Sequence, residues 1–121
     1  MKKLNGQVTK IAIFRNKKVR KTVFRNEWRF SIIDVIAALT GNARPRKYWS
    51  DLKKKLIKEG YFEVSEKIGQ LKLEAPDGKL RETDCSDTET LFRIVQSIPS
   101  PKAEPFKRWL AKARHRTPER I

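Results

Sequence analysis

A change of period at Ser31 narrows the fold more than any other feature of this sequence. Before it, Lys10 to Arg15 and Val19 to Phe24 are two β-rich runs. They flank Asn16-Lys17-Lys18, which reads as a tight turn because Asn tolerates left-handed backbone angles. Glu27 to Phe30 follows Arg25-Asn26 as a third strand, with Trp28 and Phe30 facing one side. From Ser31 the spacing becomes helical. Ile32, Val35, Ile36 and Leu39 form one apolar stripe, Ser31 and Asp34 make a capping pattern, and Gly41 is placed to end a helix over 32–40.

After Gly41-Asn42-Ala43-Arg44, Pro45 opens a second helix that runs to about Glu59 before Gly60, with Tyr48, Trp49, Leu52 and Leu56 on one face. Leu71 to Glu74 and Leu80 to Thr83 flank Pro76-Asp77-Gly78, a strong turn signal, and predict a second hairpin. Ser86 with Glu89 predicts the start of another helix to about Ser97, and a last helix over 102–112 places Phe106, Trp109 and Leu110 on one side. No internal repeat or low-complexity tract stands out. At 121 residues the chain has room for one modest core. The expected fold is α+β: a small single domain, residues 1–112, in which antiparallel β-hairpins and about four helices share that core, including a helix-turn-helix-like pair. Residues 113–121 are expected to be a basic mobile tail.

The formal charge is +15, well beyond what solubility needs, and it is unevenly placed. Residues 1–58 hold 17 basic and 3 acidic side chains, 59–100 hold 5 and 9, and 101–121 hold 7 and 2. An acidic middle rules out a uniform solubilising coat and favours a directed face for an anionic partner. The first hairpin concentrates Arg15, Lys17, Lys18, Arg20, Lys21 and Arg25 within eleven residues. On the second helix, at 100° per residue, Lys47, Lys54 and Lys58 fall within about 40° of one another opposite the apolar face, with Ser50 beside them.

Helix 32–40, a short turn and helix 45–59 have the layout of a helix-turn-helix, whose second helix enters the major groove. In that reading Lys47, Lys54 and Lys58 touch phosphates, while Arg44, Arg46 and Ser50 near the helix start are candidates for base edges. The bland alternative is a plain αα-hairpin with lysines on its wet side. The Pro-Asp-Gly hairpin, with Lys72, Lys79 and Arg81, is either a wing against the DNA backbone or simply structural. Trp28, Trp49 and Trp109 belong to apolar patterns and read as core rather than as stacking platforms for bases.

Catalysis finds little support: His115 is the only histidine, the aspartates lack the spacing of a metal nuclease, and Cys85 has no activating neighbour. A lone cysteine also excludes an internal disulfide, and no cofactor or structural metal is expected. No apolar run approaches a membrane span and Met1-Lys2-Lys3 leads into no signal-peptide core, so a cytoplasmic or nucleoid setting in a bacterial host is expected.

Two segments carry a resemblance: Trp28-Arg29-Phe30-Ser31-Ile32-Ile33-Asp34-Val35-Ile36-Ala37-Ala38-Leu39, and Ser97 to Leu110 with Ala103, Phe106 and Trp109. Together with the basic hairpin before them, they resemble the Bro N-terminal domain of phage antirepressors and baculovirus repeated-gene proteins, over residues 8 to about 112. The resemblance implies DNA binding, with double-stranded DNA as partner, in prophage or viral regulation. It also implies a separate C-terminal domain, in which case the chain is a fragment. Rival readings are a module that binds a phage repressor protein, and an RNA-binding domain.

Overall fold

The computed structural model describes residues 8–114. The chain runs β1 (Lys10–Phe14), β2 (Lys17–Phe24), β3 (Glu27–Ser31), α1 (Ile32–Thr40), α2 (Pro45–Lys58), α3 (Phe62–Glu66), β4 (Gly69–Glu74), β5 (Leu80–Ser86), α4 (Thr88–Gln96) and α5 (Ala103–Arg114). The class is α+β, as expected, but the two hairpins are not separate. Ser31 pairs with Cys85 and Phe30 with Ser86, joining all five strands into one antiparallel sheet of order β1-β2-β3-β5-β4.

Residues paired across antiparallel strands share a face. Ala12 with Val19, Lys21 with Phe30 and Val23 with Trp28 therefore lie on one side. Helices cover it: Phe14 meets Phe106 edge-on at 5.0 Å between centroids, and Trp109 lies 5.7 Å from Phe14 and 6.4 Å from Phe30. Val19, Phe30, Ile32, Val35, Ile36, Leu91, Ile94, Phe106 and Leu110 form the dry centre of this core. On the other face Thr22, Leu73, Thr83 and Cys85 are also buried, and the end of β4 comes up to the start of β1. There the Glu74 amide donates to Thr9 Oγ1 at 2.8 Å, and Arg20 Nη1 donates to the Glu74 carbonyl at 3.2 Å.

The first turn differs from the expected Asn16-Lys17-Lys18. Strand β2 already begins at Lys17, and the link is the pair Arg15-Asn16, with φ of 48° and 67°. Arg25-Asn26, between β2 and β3, repeats this at 54° and 64°. Both are two-residue links with left-handed angles throughout, the geometry that matches the twist of the flanking strands. The tripeptide Phe-Arg-Asn occurs at 14–16 and again at 24–26, each time closing a hairpin. In both copies the arginine folds over its phenylalanine, at 5.6 Å and 5.1 Å from the ring centroid.

Two expected caps are formed otherwise. Ser31 precedes α1, but its side chain does not cap it, and Asp34 turns instead to Arg20. Asp87, not Ser86, caps α4, accepting from the Thr90 amide at 2.8 Å, because Ser86 is still in the sheet. The short α3 was not expected. Helix α5 runs to Arg114, and Pro105 sits in its first turn, where a missing N–H is tolerated. The remainder of the expected tail, with His115, lies outside the described residues.

Candidate nucleic-acid interface

Helix α2 begins with Pro45 at its first position and buries Trp49, Leu52 and Leu56 against the core. That fixes its rotation. Lys47, Ser50, Lys54 and Lys58 are all exposed, as the helical spacing predicted, and Arg44, Arg46 and Lys55 are exposed with them. Among the described residues only Lys47 has an ionic partner on this face, Asp51 at 3.4 Å, and both side chains are so exposed that the pair contributes little.

The dry side of α2 is tied to the sheet through Asp84 on β5. The Trp49 indole Nε1 donates to its carboxylate at 2.8 Å, Lys53 Nζ lies 3.3 Å away, and the Gln70 amide donates at 3.3 Å. Burial pushes the Asp84 carboxyl up, but the Trp49 and Gln70 hydrogen bonds and the Lys53 charge outweigh it, leaving it below the ordinary carboxylate value. The sequence signal for this anchor was a tryptophan and a lysine four apart on one helix, and it named no partner. The turn before α2 is also held. Gly41 has φ of 66° and bonds back to the Ala37 carbonyl, Thr40 Oγ1 accepts from the Asn42 amide, and Asn42 Oδ1 accepts from the Arg44 amide at 2.7 Å. Ser100 Oγ donates to the Leu39 carbonyl at 2.6 Å, fixing the end of α1. Arg44 and Arg46 thus leave the domain from a braced corner.

The basic run of the first hairpin is taken apart by the fold. Arg15 and Arg25 cap opposite ends of β2, whose eight residues extend for roughly 26 Å. Lys17 lies opposite Phe14 and Lys18 opposite Ile13, so these neighbours point to opposite faces. Lys21 Nζ stands 3.9 Å from the Trp28 ring centroid. Arg20 is drawn inward: its Nε donates to Asp34 Oδ2 at 2.8 Å, its Nη2 to Oδ1 at 3.0 Å, and its own backbone N–H to Oδ2 at 2.9 Å. Both side chains are only about 15% exposed, and the Asp34 hydrogen bond raises the guanidinium pKa further. Arg15, Lys17 and Lys18 remain exposed together at one end.

Residues 18–115 match the family model described as the BRO family, N-terminal domain. The chain belongs to this family. No curated protein and no solved structure matches it. The family match begins inside β2, yet β1 lies along that strand over its whole length, so this Bro-N domain carries its first hairpin as part of the sheet. In its second hairpin Arg81 Nη2 lies 2.6 Å from Asp77 Oδ2 and holds that carboxyl below its usual value, while Lys72 and Lys79 stay exposed. Burial pushes the Cys85 thiol up to about 12, so it remains protonated at neutral pH. Trp49 is core, and Trp28 and Trp109 pack against the core from its margin.

Proposed function

We propose that this Bro-N domain binds duplex DNA mainly through phosphates, as the DNA-binding part of a prophage antirepressor-like regulator in the host cytoplasm or nucleoid, and that it is not an enzyme. The observation that carries the reading is the outward face of α2. Arg44, Arg46, Lys47, Lys54 and Lys58 stand exposed on a helix whose other side is locked to the sheet. A rigid helix with cations one and two turns apart suits the phosphates lining a groove, and its arginine-rich start suits base edges. Membership of the family supports this partner.

The test is fluorescence anisotropy with duplex DNA, single-stranded DNA and RNA across a salt series. Duplex DNA is expected to bind best, with log affinity falling linearly in log salt at about 0.9 per phosphate contact. The combined variant Lys47→Gln, Lys54→Gln, Lys58→Gln should flatten that slope by up to about 2.7 and weaken every duplex alike. Arg44→Ala or Arg46→Ala should change sequence preference by about 1–3 kcal/mol per contacted base. Affinity indifferent to salt sinks the proposal. Absence of any DNA shift, with a repressor co-purifying, would move the function to protein interaction.

A further inference from the structure

A cavity of about 380 Å³ opens on the sheet face away from the α4–α5 core, between the β2–β3 turn and the segment leading into β4. That is within the range of small-molecule sites. Three separate segments send cations to its wall: Arg25 from the turn, Arg29 from β3, and Lys67 from the end of α3. Phe24 gives it an aromatic rim, with the Arg25 and Arg29 guanidinium carbons 5.1 Å and 5.7 Å from the ring centroid. Ile68 and Leu71 line an apolar side. Two acids also face it, but Asp87 is committed to capping α4 and Glu66 lies exposed.

Arg29 decides what the cavity lacks. Its Nε is shut off from solvent and has no hydrogen-bond acceptor, the only such buried side-chain atom among the described residues. The far end of the same guanidinium reaches Glu27 Oε1 at 3.4 Å. A buried donor without an acceptor is costly, and in a native structure it calls for an acceptor supplied from elsewhere, by a water, an ion or a ligand. A small turn of the Arg29 side chain would bring Nε to an anionic oxygen in the cavity, where the bond is charge-assisted, and Arg25 and Lys67 would share its charge.

We propose that this cavity is a binding site for a small anion attached to a flat ring, the chemistry of a nucleoside monophosphate. Its phosphate sits against Arg29 with Arg25 and Lys67, and its ring lies among Phe24, Ile68 and Leu71. The site is separate from the α2 face and does not depend on DNA binding.

The experiment is a titration of the ¹⁵N-labelled domain with adenosine monophosphate, adenosine and inorganic phosphate, following the Arg29 Nε–H signal and the Gly69 and Leu71 amides. The monophosphate is expected to saturate those signals and to bind at least tenfold more tightly than adenosine or phosphate alone. Arg29→Lys should weaken it tenfold or more; Arg25→Gln, on an exposed turn where folding is not at stake, should weaken it several-fold. The triple α2 lysine variant should bind it unchanged, even if that variant or the wild type fails to bind duplex DNA. Shifts spread over the α2 lysines, equal affinity for phosphate alone, no saturation, or an unaffected Arg25→Gln variant would each overturn the proposal.

Discussion

The β2 hairpin and helix α2 are the two most basic stretches of this chain, and the fold treats them in opposite ways. The hairpin is the denser in sequence, yet a strand sends successive side chains to opposite faces and spreads its ends apart. Of its cations, Arg20 closes an ion pair with Asp34, Lys21 covers Trp28, and Arg25 joins a cavity wall at the end opposite Arg15. Helix α2 has cations spaced three, four and seven apart, and the helical repeat stacks them on one exposed side. Charge density along a chain therefore says less than the period of the element carrying it.

The sharpest way to break this contrast is to remove one cation's partner in each region. Asp34→Ala leaves Arg20 about 85% buried with its main acceptor gone, and should destabilise the domain by about 3 kcal/mol in urea unfolding. Lys54→Met on α2 should change stability by less than about 0.5 kcal/mol. Salt dependence should show the reverse: Lys54→Met flattens the slope and Asp34→Ala, where folded, does not. If Asp34→Ala lost under 1 kcal/mol, or reduced the slope as Lys54→Met does, Arg20 would belong with the binding residues.

What was legible in the sequence follows the same division. The switch of period at Ser31, the α2 face and the Pro-Asp-Gly hairpin are all local patterns, and the strands and helices stand close to where those patterns put them. The pairing of β3 with β5 was not legible, because hydrogen bonds between distant backbones leave no periodic trace. Asp34 was read as a helix cap since its spacing from Ser31 fits one; a long-range arginine held it more strongly. Helix α3 has five residues and no side-chain cap, too little to register. The Phe-Arg-Asn repeat was on view, but arginine is a poor advertisement for a turn that glycine usually fills.

A smaller effect sharpens the α2 side of the comparison. Asp84 is the inner anchor of that helix, so Asp84→Asn should cost about 1 kcal/mol, chiefly the partly exposed Lys53 pairing, with Trp49 still able to donate to the amide oxygen. Its pH dependence has a definite sign. The folded carboxyl titrates below its unfolded value, so the unfolded chain binds more protons in acid. The stabilisation is whole at neutral pH and disappears as pH falls from the ordinary value of 3.8 through the lower folded one. Wild type should therefore lose its advantage over Asp84→Asn in that window, as measured by thermal unfolding at a series of pH values. An advantage that grew with acidity would mean the Trp49 and Lys53 contacts do not hold α2.

The smallest effect bears on the one part of the hairpin that still resembles the α2 face. Arg15 and Arg25 both occupy left-handed positions where Asn-Gly is the easier sequence. Replacing Arg15-Asn16 by Asn-Gly should stabilise the domain by about 0.5–1 kcal/mol, and the same change at Arg25-Asn26 should do likewise, because each relieves the same backbone strain. Their binding effects should diverge. If the hairpin tip touches DNA, the first exchange flattens the salt slope by about 0.9, the share of one phosphate, and leaves the monophosphate titration alone. The second should leave the slope alone and weaken the monophosphate. Two exchanges with matched gains in stability and no difference in binding would show that both arginines serve only to fold over Phe14 and Phe24, and that the binding charge of this domain resides on α2.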